Sequence, residues 1–320
     1  MRIISSLNIE QAAEPTLWTN IMELAMQASN DSDYFTPSRL HVEMDDNTLY
    51  LAASCAPDLY TTKLVSVFPN NTKDGKAATQ GTVLLNDSSN GEALALLNGT
   101  KLSAMTRAAV ASVGVRHLSD PLATTIGIIG AGEQGRHAAW MAANERDFER
   151  IYIYDSSPIA IHGFIDFMTK KCPDIDVALC EDAQQVVVNS DIIITATTAV
   201  EPVIPNLEDL IVGKCFICMG AYTPDMRELP ESIFRLIDSV WIDNETCSTE
   251  SGDLIHPLKN NLIKPEQVKP ISTLVEQANE LGFRETRLFK TIGHGIYDLF
   301  AAKLVYEKAS EHNLGQVIEV

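Results

Sequence analysis

Residues 124–135, TTIGIIGAGEQG, are the most informative segment of this sequence. An apolar run typical of a buried strand leads into a turn of pattern G-x-G-x-x-G, and residues 135–145 then have the composition of a helix. The turn consists of Gly130, Ala131, Gly132, Glu133, Gln134 and Gly135. The pattern alone is a weak signal because glycines are frequent in turns. A strand before it and a helix after it, however, are the context of a dinucleotide-binding turn.

The glycines of such a turn have separate roles. The first permits a tight turn, the second lets the backbone approach a pyrophosphate, and the third lets helix and strand pack closely. Asp155 ends the next predicted strand, where its carboxylate can accept hydrogen bonds from the adenosine ribose. An Asp there would repel a 2′-phosphate, and Ser156 and Ser157 follow it instead of Arg. The sequence therefore predicts NADH in preference to NADPH, although small hydroxyl residues leave NADPH possible.

Strand and helix patterns alternate from residue 124 onward. Strand-like segments lie at residues 124–130, 150–155, 176–180, 191–198, 215–222 and 239–244, and helical segments lie at 135–145, 159–171 and 181–189. This order predicts an α/β fold with a doubly wound parallel sheet, the Rossmann arrangement. Ligands bind at the carboxyl ends of such strands. Thr195 and Thr197 follow the fourth strand, so we expect them to contact the dinucleotide through side chain or backbone.

The remainder of the chain has a different pattern. Strand-like segments at residues 47–54, 63–69 and 81–87 are separated by turn residues, one helix is predicted near residues 14–29, and another begins near Ser103. Residues 296–312 have apolar residues at helical spacing and are expected to join this part of the chain. The prediction is a discontinuous α+β domain of residues 1–120 and 295–320, with a dinucleotide-binding domain of residues 121–294.

The composition excludes several classes of partner. The chain has 24 basic and 43 acidic side chains, and a formal net charge of −19 would repel the phosphates of nucleic acid. No apolar window is long enough to span a bilayer, and residues 1–14 lack the pattern of a signal peptide. We therefore expect neither nucleic-acid nor membrane partners, and a cytoplasmic location.

Cys215 and Cys218 form a C-x-x-C pair, the strongest candidate for a metal or redox site. The pair lies in an apolar run, CFICMG, with no second Cys or His pair at ligand spacing. Burial in a strand is the favoured interpretation, and no metal is predicted.

Three basic side chains in the first 120 residues are candidates for binding an anion. Arg39 follows a Pro-Ser pair, Lys63 opens an apolar strand, and Arg107 interrupts an apolar helix face. Burying such a charge without an anionic partner is costly. For each residue alone, an internal ion pair or a side chain that reaches solvent is an equal alternative. Together, in an acidic protein, they favour a pocket for the carboxylate of a small imino or amino acid.

Five stretches resemble the ornithine cyclodeaminase/mu-crystallin family, with the ketimine reductases as its most similar members. They are TTKLVSVFPNN (61–71), GTVLLNDSSNGEALALLNGTKLSAMTRAAVAS (81–112), GIIGAGEQG (127–135), TATTAVEPV (195–203) and RLFKTIGHGIYDLFAAKLVYEKA (287–309). The resemblance covers nearly the whole chain. It implies a homodimer built by the non-Rossmann domain, with the substrate held between the two domains. It also implies that Arg39, Lys63 and Arg107 hold the substrate carboxylate and that Asp298 lies close to the nicotinamide.

The chain departs from the family pattern at two positions. Ala108 follows Arg107 where the family has Thr, and Tyr222 stands where its cyclodeaminases have an Asp that handles the substrate's amine. A neutral tyrosine neither attracts a side-chain ammonium nor readily accepts its proton. This difference argues against cyclisation of ornithine.

The resemblance therefore implies NAD(P)H-dependent reduction of a cyclic ketimine acid. Examples are Δ1-pyrroline-2-carboxylate and Δ1-piperideine-2-carboxylate, which would give L-proline and L-pipecolate. Lys63 is the catalytic candidate, because its ammonium, or a water that it orients, can keep the imine protonated. The alternatives are an ornithine cyclodeaminase, an NAD-dependent dehydrogenase of a linear amino acid such as alanine, and a non-enzymatic nucleotide-gated binding protein. His294 lies between two glycines, and two interpretations of it stay open. One is a place near the nicotinamide, and the other is a backbone or packing role.

Overall fold

The computed structural model describes residues 1–276 and 285–319. The strands are β1 (Arg2–Ile4), β2 (Leu40–Met44), β3 (Asn47–Cys55), β4 (Leu59–Val67), β5 (Thr79–Asp87), β6 (Ala93–Asn98), β7 (Thr125–Ile129), β8 (Arg150–Tyr154), β9 (Asp176–Leu179), β10 (Ile192–Thr195), β11 (Cys215–Cys218), β12 (Val240–Ile242), β13 (Val268–Pro270), β14 (Arg287–Lys290) and β15 (Gln316–Val317). The α-helices are α1 (Ser6–Ala12), α2 (Pro15–Ala28), α3 (Gly99–Leu118), α4 (Glu133–Ala143), α5 (Pro158–Lys171), α6 (Ala183–Asn189), α7 (Glu208–Ile211), α8 (Cys247–Glu250), α9 (Gly252–Lys259), α10 (Ser272–Glu276) and α11 (Gly295–Glu311). Short 3₁₀ helices lie at Pro69–Asp74, Glu231–Arg235 and Pro265–Gln267.

The chain divides into two compact units. The first comprises Met1–Thr106 and His294–Val320, and the second comprises Arg107–Gly293. The division at Thr106 falls inside α3, whereas the domain boundaries predicted from the sequence lie at residues 120 and 294. Those boundaries stay a prediction.

The first unit is built on one mixed sheet with strand order β15-β1-β6-β5-β4-β3-β2, in which only the β1–β6 pairing is parallel among the described strands. Helix α11 packs against α2 and β3, and Tyr297 of α11 and Trp18 of α2 are each buried. The α+β fold of this part, with the C-terminal helix returning to it, is confirmed.

Several details of this unit differ from the prediction. The elements that were not predicted are β1, β2, β6, β15 and α1, and α3 begins at Gly99 instead of near Ser103. The early start has a local cause, because the Asn98 side chain accepts a hydrogen bond of 2.8 Å from the backbone N–H of Lys101. Such a bond satisfies one of the N–H groups that the first turn of a helix leaves without a partner.

The second unit contains a sheet with strand order β13-β12-β14-β11-β10-β7-β8-β9, and all of its described pairings are parallel. From β7 the chain adds β8 and β9 on one side and then β10 and β11 on the other, so the order reverses between β7 and β10. The predicted Rossmann fold is confirmed. Strand β14 was not predicted because charged residues, Arg287 and Lys290, form its two ends, although all four of its residues are buried.

The cysteine pair lies inside this sheet. Cys215 and Cys218 are buried on β11, as predicted, and burial raises the pKa of the Cys215 thiol to about 12. The described residues contain no group of three or more His, Cys, Asp or Glu side chains placed to hold a metal ion. Among the described helices, none has the length and apolar character needed to cross a bilayer.

Candidate functional site

The glycine turn has the geometry that its sequence predicts. Gly130 follows β7 with a φ of +106°, a backbone conformation that glycine enters readily and other residues do not. A Cβ at Gly130 would lie 2.7 Å from the carbonyl oxygen of Ala196, and one at Gly135 would collide with the carbonyl oxygen of Gly130. A Cβ at Gly132, in contrast, would meet nothing within 4 Å. The first and third glycines are thus required by the fold, and the second opens onto space.

That open space fits the pyrophosphate of a dinucleotide. Gly132 is the N-cap of α4 and supplies no side chain to bind the N–H groups of the first turn, which remain available to an anion. The side-chain oxygen of Gln134 is buried and has no hydrogen-bond partner among the described residues. Glu133 opens α4, and its carboxylate pairs with Arg136.

Asp155 braces the glycine turn from the end of β8. One carboxylate oxygen accepts the backbone N–H of Ala131 at 2.7 Å, and the other accepts that of Ser157 at 2.7 Å. A carboxylate oxygen has two lone pairs, so both oxygens keep the capacity to accept further hydrogen bonds. Contact between Asp155 and a ribose stays a prediction.

Thr195 and Thr197 lie at the carboxyl end of β10, and both of their hydroxyls are bound by one buried carboxylate. Glu228 accepts hydrogen bonds from the Thr195 hydroxyl at 2.7 Å, the Thr197 hydroxyl at 2.9 Å and the Thr197 backbone N–H at 2.7 Å. The fourth donor is the backbone N–H of Gly220, at 2.9 Å. Each hydroxyl thus uses its single proton for Glu228, and towards a dinucleotide it would be left only as an acceptor.

Glu228 belongs to a buried group of charges. Lys290 donates to Asp253 at 3.0 Å and to the carbonyl oxygen of Gly220, and none of the three charged side chains is more than 1% exposed. Burial raises the pKa of Glu228, although the positive charge of Lys290 acts in the opposite direction. Burial lowers the pKa of Lys290, but the charges of Asp253 and Glu228 outweigh it and the pKa lies above its ordinary value. At Glu228 burial outweighs the attraction of the single ammonium, whereas at Lys290 the two carboxylates together outweigh burial.

Arg107 and Tyr222 lie together in the second unit. The Arg107 guanidinium donates to the carbonyl oxygen of Met219, and its central carbon is 5.9 Å from the centre of the Tyr222 ring. The Tyr222 side chain is exposed, and Ala221 before it has a left-handed φ of +47°. A partly exposed aromatic ring therefore lies beside the guanidinium at the position where the family's cyclodeaminases have an acid.

Lys63 and Asp298 form an ion pair in the first unit. The Lys63 ammonium on β4 lies 2.9 Å from the carboxylate of Asp298 on α11 and donates to the Ser103 hydroxyl at 2.7 Å. The family resemblance implies separate contacts for these residues, with the substrate and with the nicotinamide, and their contact with each other was not predicted. Arg39 is exposed just before β2, and its assignment to the site stays a prediction.

His294 has a structural role at the start of α11. Its Nδ1 accepts the backbone N–H of Ile296 at 3.5 Å, and its ring centre lies 6.0 Å from that of Tyr297. The residue caps the helix, which is the backbone role that the sequence left open.

Comparison with known proteins identifies the family. A model of the ornithine cyclodeaminase/mu-crystallin family matches residues 3–313. The chain belongs to this family. A family member from Bacillus cereus, named Delta(1)-pyrroline-2-carboxylate reductase, is 31% identical over 304 residues, which cover 92% of this chain and 93% of the relative. Ketimine reductase mu-crystallin of Rattus norvegicus is 29% identical over 259 residues, which cover 81% and 79% of the two chains.

A solved structure of another family member matches the whole fold of the present chain. It is Delta(1)-pyrroline-2-carboxylate reductase of Thermococcus litoralis in complex with NADH and L-proline. The match has a TM-score of 0.91 at 30% identity and covers 99% of this chain and 100% of the other. The similarity therefore includes both units.

Proposed function

We propose that this protein is an NADH-dependent reductase of cyclic ketimine acids, with Δ1-pyrroline-2-carboxylate or Δ1-piperideine-2-carboxylate as substrate and L-proline or L-pipecolate as product. The observation that carries the proposal is the structural match, over 99% of the chain, to a reductase in complex with NADH and L-proline. The names of the relatives from Bacillus cereus and Rattus norvegicus agree with it.

The glycine turn and Asp155 are the proposed dinucleotide site. NADH, when bound, supplies the hydride that reduces the C=N bond. The open position at Gly132 and the start of α4 would receive the pyrophosphate, and Asp155 would favour NADH because its charge repels a 2′-phosphate. We expect NADPH to bind more weakly than NADH. A titration in which NADPH is preferred more than about tenfold would contradict this assignment.

The Lys63–Asp298 pair is the proposed centre for recognition of the substrate. A protonated cyclic ketimine acid carries a carboxylate on C2 and a positive charge on the adjacent ring nitrogen. Lys63 and Asp298 present one cation and one anion 2.9 Å apart, and each is partly exposed. Lys63, with Arg39, would hold the carboxylate, while Asp298 would stabilise the protonated nitrogen. A protonated imine accepts hydride more readily than a neutral one, so this arrangement favours the reaction.

Tyr222 supports a reductase over a cyclodeaminase. Cyclisation of ornithine requires a group that binds or deprotonates the side-chain ammonium, and a neutral phenol performs neither task well. Beside the Arg107 guanidinium, the Tyr222 ring also provides an apolar face against which a ring substrate can pack.

A screen of NADH oxidation tests the proposed function. The purified protein is given cyclic imino acids, pyruvate with ammonia, and, in a separate assay with NAD, ornithine with ammonia measured as the product. We expect turnover with the cyclic imino acids. Ammonia release from ornithine, or oxidation that requires pyruvate and ammonia, would replace the proposal with one of the two rival activities.

We also propose that the protein is a homodimer formed through the first unit. All five residues of β2 are exposed, and they include the apolar side chains of Leu40, Val42 and Met44. An edge strand with several exposed apolar residues is prone to pair with another chain. Light scattering should give twice the chain mass, and a monomeric mass at micromolar concentration would exclude this dimer.

A further inference from the structure

The proposed reaction does not involve the three buried charged side chains of the second unit. Glu228, Asp253 and Lys290 lie beside the carboxyl ends of β10, β11 and β14. Removing three charged groups from water is costly, and the cost is offset only when hydrogen bonds satisfy each of them. Their complete burial therefore requires an explanation from their contacts.

Glu228 connects the ends of two neighbouring strands. One carboxylate oxygen accepts both the backbone N–H and the hydroxyl of Thr197, after β10, and the other accepts the Thr195 hydroxyl and the backbone N–H of Gly220, after β11. Each oxygen thus receives two donors, which saturates the carboxylate. The two segments cannot shift independently without breaking one of these bonds.

Lys290 and Asp253 complete the arrangement around Gly220. The N–H of Gly220 is bound by Glu228 and its carbonyl oxygen is bound by Lys290, while Asp253 accepts the backbone N–H groups of Glu228 and Leu229 at 2.7 and 3.0 Å. A Cβ at Gly220 would collide with the Glu228 carboxylate and with the carbonyl oxygen of Thr197. The peptide at Gly220 is therefore held on both sides, and only glycine fits there.

The sheet order places this arrangement beside one half of a bound dinucleotide. In a doubly wound sheet the ligand lies across the carboxyl ends at the point where the strand order reverses, with one mononucleotide on each side. The reversal lies between β7 and β10. The glycine turn and Asp155 belong to the β7–β8 side, which takes the adenosine half. Residues 195–197 and 219–222 belong to the β10–β11 side, which takes the nicotinamide half.

We propose that Glu228 is a positioning residue that holds segments 195–197 and 219–222 in the shape that receives the nicotinamide half of the dinucleotide. The inference rests on the proposed function only in requiring that the protein binds NADH. Glu228 does not touch the cofactor itself, and it acts through Thr195, Thr197 and Gly220.

The test compares two ligands that share their adenosine half. NADH has both halves, whereas ADP-ribose lacks the nicotinamide, and calorimetry gives a Kd for each. Glu228→Gln keeps the size of the side chain but replaces one carboxylate oxygen by an NH2 group. This group cannot accept the hydrogen bonds that the oxygen receives. We expect the Kd of NADH to rise about tenfold, as loss of one buried hydrogen-bond acceptor would produce, and the Kd of ADP-ribose to stay unchanged. Asp155→Asn is the matched control, and it should weaken both ligands alike.

A milder variant keeps the test decisive if Glu228→Gln does not fold. Thr195→Val removes only one of the four donors to Glu228 and should raise the Kd of NADH by a smaller factor, again without effect on ADP-ribose. Equal Kd changes for the two ligands, or no change for either, in a variant whose melting curve is cooperative would overturn the proposal and leave Glu228 with a role in folding alone. Failure of the proposed function looks different, because the wild type would then bind NADH normally but reduce no cyclic imino acid.

Discussion

Two lysine–aspartate pairs of nearly identical length differ in almost everything else. Lys63 and Asp298, in the first unit, lie 2.9 Å apart with side chains that are 19% and 13% exposed. Lys290 and Asp253, in the second unit, lie 3.0 Å apart and are 0% exposed. The distance between the charged atoms therefore says little about what each pair does.

The hydrogen bonds around each pair separate their roles. Asp253 accepts two backbone N–H groups in addition to Lys290, and Lys290 also binds a backbone carbonyl, so both side chains fix the backbone. Lys63 uses two of its three donors, for Asp298 and Ser103, among the described residues, and both members of its pair reach solvent. A saturated, buried pair holds a structure in place, whereas a partly exposed pair can exchange its partners for a ligand.

The largest effect that the comparison predicts is on catalysis. Lys63→Met should lower kcat/KM for the cyclic imino acid by about 10²–10⁴, the usual contribution of a group that places a proton or charge at the reacting atom. The Kd of NADH, measured by fluorescence, should not change. Lys303→Met, at an exposed lysine of α11, is the control and should keep wild-type turnover. Turnover by Lys63→Met at the wild-type rate would remove Lys63 from the mechanism.

The buried pair should instead dominate stability. Lys290→Met leaves Asp253 and Glu228 buried without their cation, and we expect the free energy of unfolding to fall by about 3–5 kcal/mol. Lys63→Met should lower it by a smaller amount, because both members of its pair reach solvent. Denaturant unfolding of the two variants measures this difference directly. Equal losses would show that burial does not distinguish the pairs.

Asp298 provides a smaller test of the exposed pair. Asp298→Asn keeps the shape but removes the negative charge that would stabilise a protonated imine, so kcat/KM should fall about 10- to 100-fold, the range for loss of one charged hydrogen bond. Steady-state kinetics at saturating NADH measure the change. Asp58→Asn, which alters the exposed partner of Lys303, should have no effect on turnover. If Asp298→Asn behaves like Asp58→Asn, the exposed pair is not a recognition site.

The smallest effect is expected at a third pair, Lys303 and Asp58, which are 2.6 Å apart and 42% and 56% exposed. The hydrogen bond from Lys303 lowers the pKa of Asp58. A carboxylate whose pKa falls on folding stabilises the protein above its unfolded-state pKa and loses that contribution as the pH falls through the folded pKa. Lys303→Met should therefore cost less than about 1 kcal/mol at pH 7, and the difference from wild type should vanish in strong acid. Thermal unfolding at several pH values measures the stability difference between the variant and the wild type. A difference that grows as the pH falls would contradict the prediction.

The sequence alone was sufficient for the fold and the family. The glycine turn, the alternation of strands and helices after residue 124, and the helical spacing of residues 296–312 are local patterns, and neighbouring residues determine them. The match of the family model confirms the resemblance, which depended on continuous stretches of residues. Lys63, Arg107 and Asp298 were also assigned from such stretches, and their roles await experiments.

The burial of charges in one cluster could not be predicted from the sequence. Glu228, Asp253 and Lys290 are separated by 25 residues or more along the chain, and nothing in their neighbouring residues distinguishes them from solvent-exposed charges. Strand β14 was not predicted for the same reason. Its charged ends are typical of a surface segment, but in the sheet it lies between β11 and β12. The physical reason is that a charge can be buried only where distant parts of the chain supply its counter-charge and hydrogen bonds, and those partners come together only on folding.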